Sequence, residues 1–274
     1  VGQAASTVNL QGFIQTSDGT VTVTGIQGLT IASDSTSQLT GSADQDNALG
    51  VVTANSATAV TITSSGSATT NAAALTIASV SATGVNDITL TTDAFDDVEI
   101  TADITGGTAV ETANVTVGTD SQLTMAQLDM STSGLLSSNI TVNAGGFMSN
   151  NNGNTTIATA EGVDVIATSI ADLNVDLQPG ANASLLLNGA MTDMDASIGA
   201  SALLVLEDSL GSAGAASSFV FTGRGDLDAD VVGTGLTTTA NSFAIAGTTV
   251  TFDSSGLTTD SDTMAITTTA STSA

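Results

Sequence analysis

Carboxylates make up nearly the whole chemical repertoire of this chain. It carries 27 Asp and Glu against a single basic side chain, Arg224, and has no His, Cys, Trp or Tyr. Two acidic groupings are spaced closely enough to act together. In Phe221 to Gly233, "FTGRGDLDADVVG", Asp226, Asp228 and Asp230 alternate with Leu227 and Ala229. That spacing matches the first three ligand positions of an EF-hand loop. Val231 and Thr237, however, stand where the loop needs Gly and a bidentate Glu. If the segment is a strand, its three carboxylates share one face about 7 Å apart, too far to meet one ion. A solvated strand face is therefore expected there.

The second grouping is Asp93, Asp96, Asp97 and Glu99, in a segment that leads into a strand. A loop can curl around a hard cation, so these four and Asp226, Asp228 and Asp230 are the candidate Ca²⁺ ligands. No cofactor is required by any motif. Asp44 and Asp46 with Asn47, and Asp193 with Asp195, are sparser versions.

Arg224 belongs to an Arg-Gly-Asp tripeptide, the pattern of integrin ligands, which is short enough to arise by chance. In so acidic a chain the lone guanidinium is expected to pair with a carboxylate of its own or a neighbouring subunit, in a bidentate geometry. Arg224 is thus a predicted subunit contact.

The missing residues exclude whole chemistries. There is no imidazole base, no thiol nucleophile and no Schiff-base lysine. Paired aspartates are the only conventional acid and base left, as in a β-helical polysaccharide hydrolase. Such sites stack sugar rings on Trp or Tyr, which are absent, so the chain is not expected to be an enzyme and no catalytic residue is assigned. A net charge of −26 excludes ordinary nucleic-acid binding, which needs a basic face. No apolar run is long enough to insert in a membrane. The chain begins at Val1 with no basic segment before an apolar stretch, which is expected of a secreted protein after signal removal.

The elements that must position these residues are short strands. Aliphatic residues alternate with Thr, Ser, Asn or Asp in Val60 to Thr63, Leu75 to Ala78, Ile88 to Thr91, Val98 to Thr101, Val115 to Val117 and Ile140 to Val142. Period two puts the aliphatic side chains on one face. Gly106-Gly107, Gly145-Gly146 and Pro179-Gly180 punctuate the runs. Apolar spacing predicts short helices over 124–130 and 164–173. Ala246-Gly247, between Ser242–Ile245 and Thr248–Phe252, predicts a hairpin.

The expected fold is therefore all-β. Strand starts keep no fixed period, which suits an irregular β-helix whose coils carry loops of different length. The alternative is a β-sandwich with strand exchange between subunits, although a sandwich core usually buries Trp or Tyr. A single elongated domain is expected over 1–256, with a sub-boundary near 145–155. Residues 257–274 form a Thr/Ser-rich tail in which Met264 and Ile266 alternate with Thr, as an inter-subunit strand would.

In cadence, "VTVTGIQGLTIAS", "ALTIASVSATGVNDITLTT" and "VEITADITGG" resemble secreted β-helical adhesins of the filamentous-haemagglutinin type. The bias toward Thr, Ala, Gly and Asp resembles bacterial and archaeal surface-layer proteins and appendage subunits. The resemblance implies a secreted, self-associating structural protein whose partners are copies of itself, and it carries over no site residues. A cell-surface binding module is the alternative. One version, a threonine array that binds ice, needs Thr-x-Thr rows stacked at constant period, and Thr20, Thr22 and Thr24 recur at none. Four Asn-x-Ser/Thr sequons, at Asn114, Asn139, Asn154 and Asn182, arise readily in so hydroxyl-rich a chain.

Overall fold

The computed structural model describes residues 6–11, 15–16, 20–34, 47–65, 74–94, 96–107, 112–135, 137–150, 162–207, 216–230, 237–245 and 250–253. The chain is all-β, and every regular element among the described residues is a strand. Pairing follows one rule: a strand bonds in parallel to the strand one coil further on. Thus β4 (Gly28–Asp34) pairs with β6 (Ala59–Ser65), and β6 with β8 (Asp87–Thr92). Parallel pairing needs a crossover, and here the crossover is the next side of the coil. The fold is a β-solenoid, not a sandwich.

Two ladders of strands run its length. The first begins with β1 (Ser6–Gln11), continues through β4, β6 and β8, and adds β10 (Thr112–Val117) and β12 (Ser137–Val142). It then takes the C-terminal parts of β14 (Val163–Leu177) and β15 (Asn182–Ile198), and finishes with β17 (Ala216–Gly223) and β19 (Thr237–Ile245). The second starts from β2 (Gln15–Thr16) and β3 (Val21–Thr22). It passes through β5 (Asn47–Thr53), β7 (Ala74–Ala82), β9 (Asp97–Gly106) and β11 (Gln122–Leu135). Then β13 (Phe147–Ser149) and the first parts of β14 and β15 lead to β16 (Leu203–Glu207), β18 (Asp226–Asp230) and β20 (Val250–Asp253).

Alternating sequence becomes a core because every coil presents the same register. Ile31, Ile62, Leu90, Val115, Ile140, Val175, Ala196 and Phe221 stack in one inward column across successive pairings of the first ladder. All eight are buried. Within it the smallest side chain, Ala196, lies against the largest, Phe221, which conserves volume without Trp or Tyr. Each large aliphatic member removed from water contributes about 1.5–3 kcal/mol before chain entropy.

Coil length varies while register does not. Asp87 pairs with Thr112, and Thr112 with Ser137, both 25 positions on, whereas Leu29 pairs with Val60 and Ser138 with Leu173. The extra residues fall between the paired strands, in keeping with the irregular spacing of strand starts.

Two local expectations are corrected. Residues 124–130 and 164–173, read as helices, lie in β11 and β14. Their helix-like apolar spacing is produced by bends. The register of β11 shifts between Met125 and Gln127, so Met125 and Leu128 are both buried although three residues apart. A bend between Ile166 and Ser169 does the same in β14. The expected hairpin at Ala246-Gly247 is absent too, because β19 and β20 pair in parallel with β17 and β18 instead of with each other. They are successive sides of one coil.

Candidate functional site

The acidic and basic residues singled out above collect where the first ladder turns into the second. That edge is a stack of four-residue turns: Asp93–Asp96, Gly118–Ser121, Asn143–Gly146, Gln178–Ala181 and Gly199–Ala202. In each, the N–H of the fourth residue donates to the carbonyl of the first, at 2.8 Å for Gly146 and 3.0 Å for Ala181. The third residue is left-handed in four of them: Asp120, Gly145, Gly180 and Ser201, with φ between 52° and 76°. These are type II turns, and Pro179-Gly180 holds the two central positions such a turn favours. Backbone bonds link the stack, from Asn143 N–H to Val117 C=O and from Gln178 N–H to Val142 C=O, both 2.9 Å.

The Arg-Gly-Asp corner is a shortened version of this turn. Ile198 pairs with Gly223 and Leu203 with Asp226, so Arg224 and Gly225 alone replace the four residues Gly199 to Ala202 of the coil before. Arg224 N–H and Gly225 N–H both donate to Ile198 C=O, at 2.8 and 3.0 Å, and Asp226 N–H donates to Ala202 C=O at 2.7 Å. The backbone is drawn so close that a Cβ on Gly225 would stand 2.3–2.6 Å from Ile198 Cγ2, Gly199 C=O and Ala202 C=O. Gly223 has φ 131°, and its Cβ would meet Ile198 C=O at 2.0 Å. The glycine of the tripeptide is thus a packing requirement, and Arg224 is left exposed at the corner.

Beyond it, Leu227 is buried while Asp226 is half-buried and Asp228 exposed, the solvated strand face expected from alternation. Asp230 ends β18, and its side chain lies outside the description. Met264, Ile266, Asp44 and Asp46 lie outside the described residues altogether.

The four acids of the second grouping face different ways. Asp93 is exposed and accepts from the Ala94 N–H at 2.8 Å. Asp97 accepts from the Gln122 N–H of the next coil at 2.9 Å, and Glu99 is half-buried on the outer face of β9. Asp96 points into the solenoid and is 1% exposed. Ser64 Oγ donates to its Oδ2 at 3.4 Å, and its N–H donates to Ser121 Oγ at 3.0 Å. The Ser121 hydroxyl in turn donates to the Asp93 carbonyl. No group of three or more acids placed to hold one metal ion occurs among the described residues.

Asp96 belongs to a buried polar seam. Asn47 Nδ2 donates to Ser33 Oγ at 2.7 Å, and the Gly118 N–H donates to Thr92 Oγ1 at 2.8 Å. Ser33, Ser64 and Thr92 share one inward column, and from Val117 onward that column is apolar: Val142, Leu177, Ile198. The seam satisfies buried polar groups that would otherwise destabilise the interior.

A feature that sequence reasoning missed lies on the outer face of the first ladder. Thr61, Thr89, Asn114, Asn139 and Asn174 form one outward column, and Thr63, Thr91, Thr116, Thr141 and Asp176 the next. Asn139 Nδ2 donates to Asn114 Oδ1 at 2.8 Å, and Asn174 Nδ2 to Asn139 Oδ1 at 3.3 Å. Toward the C-terminal coils this face hollows into a groove of about 440 Å³, between Asn139, Asn174, Asp176, Asp195, Ser197 and Thr222. The signal in sequence is that Thr61-Ile62-Thr63 and Thr89-Leu90-Thr91 recur, but only register places them one above the other.

Comparison of the chain with protein-family models, with characterised proteins and with solved structures finds no match.

Proposed function

We propose that this protein is a self-assembling structural subunit of an extracellular filament, cell-surface appendage or surface layer, which grows by adding copies at the open ends of the solenoid. The observation that supports the reading is the state of the terminal rungs. Among the described residues, β1 pairs with β4 alone, β19 with β17 alone and β20 with β18 alone. One edge of each terminal strand thus has no ladder partner among the described residues, and such an edge favours edge-to-edge pairing. The two ends differ, so the contact is head-to-tail and does not close on itself. In register, Val8 and Leu10 of β1 share the columns of Ile31 and Ser33, and Phe243 and Ile245 of β19 share those of Phe221 and Gly223. One copy's β19 can continue into the next copy's β1 as another parallel rung.

The second reading, a cell-surface binding module, draws support from the groove at Asn174 and Asp195. Electron microscopy with edge variants separates the two. Val8→Pro removes a ladder N–H from the first rung, and it is expected to abolish polymers while the far-UV circular dichroism of the chain stays unchanged. Polymers that persist with Val8→Pro would mean that assembly uses another surface.

A further inference from the structure

The two outward columns of the first ladder carry no charge from β6 to β12. They read Thr61-Thr63, Thr89-Thr91, Asn114-Thr116 and Asn139-Thr141 on four successive rungs. This neutral surface sits in a chain of net charge −26. It also lies in a part of the fold free of register shifts. Every residue of these rungs pairs in unbroken register, whereas β7, β11 and β14 carry register shifts. The rungs repeat about every 4.8 Å along the solenoid, and side chains on one face about every 7 Å along the strand. Threonine χ1 is stiff in strands, and the carboxamides of Asn114 and Asn139 hold each other, so the array is rigid before any ligand arrives.

We propose that this face binds ice. The two columns themselves, six Thr and two Asn, carry no charged side chain to attract an ionic ligand, and Asp87 stands in the column beside them. From β6 to β10 the columns stand clear of the groove, whose lining begins at Asn139 and Thr141 of β12. The array suits an extended neutral solid whose own oxygens repeat in two dimensions. The two spacings lie close to those of oxygens in a prism plane of hexagonal ice, so surface hydroxyls can stand in the lattice while the methyls fill the gaps between. A constant sequence period is not needed for this, because loops of unequal length leave the rungs in register.

The test is thermal hysteresis and partitioning into a growing ice hemisphere, with the full-length chain. The unaltered protein is expected to enter the ice and to shape crystals. Thr91→Tyr, at the centre of the array, is expected to lower hysteresis at least tenfold, and Thr116→Tyr is the second variant should the first disturb the circular dichroism. Thr222→Tyr, on the same side of the solenoid but outside the array, should leave hysteresis unchanged. Exclusion of the unaltered protein from ice would overturn the proposal, as would hysteresis that survives both central substitutions. So would retention on crystalline cellulose or chitin without hysteresis, which would assign the face to a polysaccharide.

Discussion

At the scale of single residues, the corner around Arg224 shows what its glycines do for the backbone. Arg224-Gly225-Asp226 marks a corner two residues shorter than its neighbour, and Gly225 is held by the approach of Ile198, Gly199 and Ala202. Gly225→Ala should therefore destabilise the fold by several kcal/mol, on the order of 2–4, because backbone must shift to admit the Cβ. Arg224→Gln, at an exposed site, should change urea stability by less than about 0.5 kcal/mol. It should nevertheless weaken assembly, since it removes the only cation from surfaces that otherwise repel. Equal stability losses in the two variants would contradict this division. Ser121→Ala removes the nearer of two acceptors of the Asp96 N–H and the donor to the Asp93 carbonyl in a buried corner. An unfolding cost of about 1–3 kcal/mol is expected from equilibrium denaturation. The sequence made the alternation around Leu227 legible. It could not reveal that Asp96 faces inward while Asp97 faces out, because that is decided by where the turn from Asp93 ends.

At the scale of elements, period two in "LTIAS" or "VEITADITGG" was enough to find strands, and the absence of Trp and Tyr pointed to aliphatic stacking over a sandwich. What failed was any inference across a bend. Met125 and Leu128 read as one helical face because the strand turns between them. Ser242 to Phe252 read as a hairpin because a Gly between two strands looks the same whether the chain reverses or goes round a corner. Partners in a solenoid are set by coil geometry and lie 25 residues away in Asp87 and Thr112, too far for local pattern to report. Since each rung is supported by the two beside it, a mid-ladder cavity should be felt strongly. Leu90→Ala, flanked by Ile62 and Val115, is expected to cost 2–5 kcal/mol. Thr119→Ala, at an exposed corner, should cost about 0.5 kcal/mol or less in the same urea titration.

At the scale of the whole molecule, a charge of −26 on a stack of parallel strands sets two opposed tendencies. In the proposed assembly the terminal strand edges favour continuation, and like-charged subunits repel one another. Salt screens the second and leaves the first, with a screening length of about 10 Å at 0.1 M ionic strength. Polymer mass measured by light scattering should accordingly rise from low to moderate ionic strength. Divalent cations should act at lower concentration than NaCl, and a fall with added salt would contradict the account. The measurement that reaches the central claim most directly is the orientation of the β-repeat in negatively stained or vitrified assemblies of the full chain. Growth through the open ends stacks every coil along the fibre. Unbranched polymers with a reflection near 4.8 Å on the meridian are therefore expected. Monodisperse particles under all salt conditions, or polymers whose 4.8 Å reflection falls on the equator, would contradict such growth.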